Sequence, residues 1–121
     1  MPNDPGLTPI EIRFTAEFKR NLRTLAKRYR NIRSDIEPVL NRLQAGEFVG
    51  DQIPRVGYAL FKVRIRNIDA QRGKSGGYRM IYYLRTPTQI ILVTINSKSE
   101  QSDISADEVR RIVRRFEETA S

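Results

Sequence analysis

The 121-residue sequence contains no cysteine and no histidine. The first absence removes disulfides, thiol nucleophiles and thiolate metal sites, and the second removes the imidazole base and the commonest metal ligand. Long apolar runs are missing too. The longest is Met80-Ile81-Tyr82-Tyr83-Leu84, far short of the roughly 20 residues that cross a bilayer. The opening residues carry no signal-peptide apolar block, so the sequence predicts a cytosolic protein with no membrane partner. Acidic residues are scarce beside basic ones: 14 Asp+Glu face 22 Lys+Arg, a net charge of +8. A polyanion is therefore the first partner to consider, nucleic acid before membrane. Asp103, Asp107 and Glu108 belong to a helix cap, where carboxylates complement the helix dipole. No acidic cluster offers a magnesium cage, and neither a metal nor a cofactor is expected.

What the chain does have is enough apolar material for a core, 39% against 30% charged residues, in a length that suits one domain. Residues 1–121 read as that domain, with residues 1–9 a flexible lead-in. Ile10 to Phe14 alternates as a strand. From Thr15, a cap residue, the period changes: Phe18, Leu22, Leu25, Ala26 and Tyr29 form one helical stripe. Ser34 and Glu37 have capping-box spacing before Ile36, Val39, Leu40 and Leu43, a second helix closed by Gly46, with Pro38 awkward inside it. Residues 46–57 read as a loop. Strands follow at Ala59 to Arg66, Tyr78 to Arg85 and Gln89 to Asn96, the last two joined by the hairpin turn Thr86-Pro87-Thr88. The apolar run Ile90-Ile91-Leu92-Val93 places its strand inside the sheet. A final helix starts at the capping box Ser105/Glu108 and buries Val109, Ile112, Val113 and Phe116. The order β-α-α-β-β-β-α predicts an α+β fold with helices packed on one face of a small, mainly antiparallel sheet.

Charge is concentrated in two stretches. Between Ile12 and Arg33 there are eight cations against Glu17 alone, read as mostly a solvated helix face. Between Lys62 and Arg85 there are seven against Asp69 alone. There, alternation puts Lys62, Arg64 and Arg66 on one side of a strand and Phe61, Val63 and Ile65 on the other. Neighbouring cations repel one another and gain most when an anion lies over them, so this face, with Arg79 beside it, reads as a phosphate platform. The competing readings are an exposed, salt-bridged sheet face or an edge strand guarded against aggregation by its charges. Arg72-Gly73-Lys74-Ser75-Gly76-Gly77 resembles the end of a nucleotide-binding loop. The required earlier glycine is Ile68, however, and a strand follows instead of a helix. A basic hairpin loop fits better.

Three segments in order, Phe61-Lys62-Val63-Arg64-Ile65, Gly77-Tyr78-Arg79-Met80-Ile81-Tyr82-Tyr83 and Thr94-Ile95-Asn96-Ser97-Lys98-Ser99-Glu100, resemble toxins of the RelE/ParE superfamily. The loop from Arg72 to Arg79 and the stretch from Lys98 to Ser105 resemble its HigB-like branch. The resemblance covers about residues 10–116 and implies a RelE-like fold and a toxin neutralised by a cognate antitoxin protein. It further implies metal-independent cleavage of mRNA in the ribosomal A site. Carried over position by position, it implies Lys62, Arg64, Arg79 and Lys98 as catalytic residues; the charge pattern adds Arg66 of the strand face and Arg72 and Lys74 of the basic loop as RNA contacts, with Tyr82 and Tyr83 the aromatic candidates beside them. Three positions depart from the family pattern. Ser99 stands where an arginine often follows the last basic residue, Ser105 where a tyrosine stacks on the substrate base, and Asn96 where HigB-like members often have tyrosine. ParE relatives inhibit DNA gyrase and generally lack the nuclease residues. A gyrase inhibitor or a non-catalytic nucleic-acid-binding protein therefore stays open as the alternative.

Metal-free RNA cleavage needs a base for the 2′-hydroxyl, charge stabilisation on the phosphorane and an acid for the leaving oxygen. Crowded like charges disfavour ionisation, which is how a lysine among arginines can serve as a base. Together with the resemblance, this chemistry points to Lys62 for that role, Arg64 and Arg79 for phosphate binding, and Lys98 for leaving-group protonation or a third clamp. The two lysines could exchange roles.

Overall fold

The computed structural model describes residues 9–68, 77–97 and 104–119. The elements are β1 (Glu11–Phe14), α1 (Ala16–Arg28), α2 (Ile32–Gln44), β2 (Asp51–Ile53), β3 (Leu60–Arg66), β4 (Gly77–Thr86), β5 (Gln89–Ser97) and α3 (Ala106–Thr119). The five strands form one sheet in the order β1-β5-β4-β3-β2. Only the β1–β5 pair is parallel. This is the expected α+β class with a mainly antiparallel sheet, extended by the short edge strand β2 inside the segment expected to be a loop.

The helix ends follow local chemistry. The Thr15 hydroxyl accepts the Phe18 N–H at 3.0 Å and donates to the Val93 carbonyl at 2.7 Å, so the α1 cap is also fastened to β5. Helix α2 starts earlier than expected, with Asn31 as its cap instead of Ser34. Pro38 lies inside it, and the hydrogen bond it forfeits is to Ser34. Both residues are exposed, so the loss falls on the solvent side. Gly46 ends the helix as expected, at φ +90°. Its N–H reaches the Leu43 carbonyl, and the Glu47 N–H reaches that of Arg42, a Schellman pair. The Ser105 hydroxyl accepts the Glu108 N–H at 3.1 Å at the start of α3.

Packing departs from expectation in one respect: the helices do not share a face. Phe18, Leu25, Ile32, Ile36 and Leu43 from α1 and α2 bury against Val63, Ile65, Tyr78, Met80, Tyr82, Ile90, Leu92 and Ile95. Val109, Ile112 and Val113 of α3 bury against Leu60, Ile81, Tyr83, Ile91 and Val93, the alternate positions of the same strands. A strand apolar on both sides must be covered on both sides. The unbroken run Ile90 to Val93 is the sequence's own sign of this.

Tyr82 shows how tightly the first core is closed. It is fully buried, stacks on Phe61 with centroids 5.1 Å apart and donates its hydroxyl to the Val49 carbonyl at 2.6 Å. Burial pushes its phenol up to about 12 from an ordinary 10. Above pH 10 the unfolded chain loses that proton first, so stability falls as pH rises toward 12, by about 2 kcal/mol in all. Tyr82→Phe should cost about 1–2 kcal/mol at neutral pH and flatten this alkaline decline, as read by urea unfolding at pH 8 and at progressively higher pH.

Candidate nucleic-acid interface

Strand pairing decides which cations meet. In the β3–β4 register Arg64 lies opposite Arg79, Lys62 opposite Ile81 and Arg66 opposite Gly77. Cross-strand partners share a face, so Lys62, Arg64, Arg66 and Arg79 all project from one side of the sheet. Directly opposed side chains have Cβ atoms about 4.5–5.5 Å apart, and Lys62 stands one pleat along, about 6.6 Å from Arg64. Arg64 and Arg66 are exposed, whereas Lys62 and Arg79 are half-buried. The face is the one α3 occupies, but the apolar cluster under α3 extends no further than Leu60 and Ile81. Past Leu60 on β3 and Ile81 on β4 the same face carries Lys62, Arg64, Arg66 and Arg79.

The backbone beneath Lys62 is held closely. Gly50, at φ +102° just before β2, sits so near β3 that a Cβ there would lie 2.6 Å from the Lys62 carbonyl oxygen. Only glycine fits, both for its conformation and for this approach. Further along, β4–β5 pairing sets Asn96 opposite Arg79. One row across three strands therefore reads Arg64, Arg79, Asn96. The Nη1 of Arg79 and the Oδ1 of Asn96 are both buried atoms. Two guanidinium groups on facing strands with an amine beside them can bind the oxygens of one phosphate together, through charge-assisted hydrogen bonds in which arginine forks match the anion.

The remaining predicted residues divide clearly. Tyr82 points to the opposite side, into the α1/α2 core, and its hydroxyl is committed to Val49. Tyr83 is on the basic side but lies under α3, 9% exposed, edge-on to Tyr58 and donating to Glu117 at 3.4 Å. Burial and the Glu117 carboxylate raise its phenol's pKa. The expectation that these two tyrosines contact RNA is corrected by their burial: both are packing residues. Arg72, Lys74 and Lys98 lie outside the described residues, as does Ser99. Ser105, where the resemblance would place a stacking tyrosine, is the cap of α3.

Other cations serve the fold. Arg85 pairs with Glu117 at 3.1 Å, Arg110 with Asp107 at 2.5 Å, Arg111 with Glu108 at 2.7 Å, and Arg115 bridges α3 to Glu17 of α1. Arg110 also donates to the carbonyls of Arg55 and Val56. Lys19, Arg20, Arg23 and Lys27 are exposed along α1, with the Lys19 ammonium over the Phe14 ring. Among the described residues no group of three or more carboxylates could hold a metal ion, and no helix is long and apolar enough to cross a membrane. Sequence reasoning noticed Asn96 only as a departure from a family pattern. Its signal was a carboxamide near the end of a strand whose earlier residues, Ile90 to Ile95, are apolar but for Thr94.

A family model described as the RelE toxin of the RelE/RelB toxin–antitoxin system matches residues 15–120, from the α1 cap through α3. No curated protein matches the chain.

Proposed function

The chain belongs to the RelE toxin family, and from that premise we propose that it is the toxin of a toxin–antitoxin pair that cleaves mRNA without a metal, in the ribosomal A site. Membership of the family implies a cognate antitoxin. The nuclease reading rests on one observation: Arg64 and Arg79 face each other across β3 and β4, with Lys62 one pleat away on the same side. Like charges directly opposed in a sheet are destabilising on their own. They become favourable when a phosphate lies between them.

In this reading the arginines hold the nonbridging oxygens of the scissile phosphate and stabilise the charge that builds in the phosphorane. Lys62 accepts the proton of the 2′-hydroxyl as its oxygen bonds to phosphorus. The bond from phosphorus to the 5′ oxygen then breaks, and Lys98 supplies the proton to that leaving oxygen, giving a 2′,3′-cyclic phosphate and a 5′-hydroxyl. In this reading much of the rate comes from positioning, which a ribosome-bound message supplies.

Expression of the chain followed by mapping of mRNA 5′ ends tests the reading. New ends within translated codons are expected, and they should vanish in Lys62→Ala and Arg79→Ala. Replication arrest with intact transcripts would instead mark a gyrase inhibitor, and salt-sensitive binding without cleavage would mark a simple nucleic-acid-binding protein.

A further inference from the structure

The Arg64–Arg79 row has a third member that the cleavage scheme leaves unused. Asn96 follows Arg79 across the sheet, and its Oδ1 is buried with no hydrogen-bond partner among the described residues. A buried acceptor without a donor costs stability. Asparagine is also a poor strand former, and it closes a run in which Ile90 to Ile95 are all buried. The carboxamide oxygen therefore contributes nothing to the fold that an apolar residue would not do better. It stands next to a guanidinium, on the side of the sheet where the cations gather.

We propose that Asn96 accepts a hydrogen bond from the 2′-hydroxyl of the nucleotide joined through its 5′ oxygen to the phosphate held by Arg64 and Arg79, not from the attacking 2′-hydroxyl on the other side of that phosphate, and so selects RNA over DNA. The inference rests on the phosphate-binding reading of that pair. An acceptor beside an anion clamp needs a donor that travels with the phosphate. In RNA the 2′-hydroxyl is that donor at every nucleotide, and DNA lacks it. Because each ribonucleotide carries the same group, the contact distinguishes the sugar without preferring a base. It is a binding contact, separate from proton removal by Lys62.

The test is fluorescence anisotropy with a short single-stranded RNA, read before cleavage begins, and its 2′-fluoro analogue, which keeps the sugar pucker but cannot donate. The native protein should bind the RNA about fivefold more tightly, the range of one added hydrogen bond. Asn96→Leu, close in shape, should bind both equally at the weaker affinity and melt no lower than the native protein. A preference that survives in Asn96→Leu overturns the inference, as does equal binding of the two oligonucleotides by the native protein. A markedly lower melting temperature for Asn96→Leu also overturns it, because it would make Asn96 structural. Arg79→Ala keeps the two readings apart: it should weaken both oligonucleotides, and unchanged binding in that variant counts against the phosphate clamp whatever the Asn96 ratio shows.

Discussion

Arg79→Ala should reduce mRNA cleavage about 100-fold or more, the scale on which an enzyme loses one preorganised donor to a developing anion. Arg79 stands in the middle strand of the basic row, opposite Arg64 on one side and Asn96 on the other. Arg79→Lys should restore only part of the rate. An ammonium supplies charge but not the planar fork that holds two oxygens at once. Single-turnover cleavage on programmed ribosomes measures both variants. Arg85→Ala is the natural comparison, since Arg85 lies on the same strand but pairs with Glu117 under α3. It should leave cleavage intact and cost stability only slightly, as partly exposed ion pairs do. A lysine variant as fast as the native protein would show that position 79 contributes charge alone.

Gly50→Ala should be the most damaging of the small substitutions, costing about 3 kcal/mol in urea unfolding. Two effects add there. The residue sits at φ +102°, and its new Cβ would meet the Lys62 carbonyl oxygen at 2.6 Å and Val63 Cγ2 at 2.8 Å. Gly57 separates them, because at φ +84° it has nothing within 4 Å of such a Cβ. Gly57→Ala should therefore cost only the backbone strain, about 1 kcal/mol. The clash at Gly50 is resolved by moving β3 where Lys62 leaves it, and a displacement near 1 Å costs about 100-fold in rate for a positioned group. Cleavage per folded molecule should fall with Gly50→Ala and hold with Gly57→Ala. Equal effects of the two would show that the contact with β3 does not position Lys62.

Much of this architecture is written in local pattern. Thr15 and Ser105 each cap the helix that their spacing announces, and Gly46 closes α2 because the chain must enter a left-handed conformation there. The alternation of Lys62, Arg64 and Arg66 with Val63 and Ile65 forecast which side of β3 is basic. Register is another matter. That Arg64 meets Arg79, and that Asn96 continues the row, depends on strand pairing over long sequence separations, which periodicity does not encode. The placement of α3 opposite α1 and α2 was legible only indirectly, through the unbroken apolar run of β5. The two tyrosines show the limit from the other side. An aromatic pair beside a basic strand looks suited to stacking on RNA bases, yet Tyr82 and Tyr83 alternate into two different cores.

Two basic surfaces compete for the message: the β3–β4 row and the exposed cations of α1. Co-crystallisation with a 2′-fluoro oligoribonucleotide, which binds without being cut, separates them most directly. A phosphate within hydrogen-bonding distance of both the Arg64 and Arg79 guanidinium groups, with the adjoining 2′ position turned toward Lys62, is the predicted result. An oligonucleotide lying along α1 through Arg20, Arg23 and Lys27, with the β3–β4 row untouched, would contradict it.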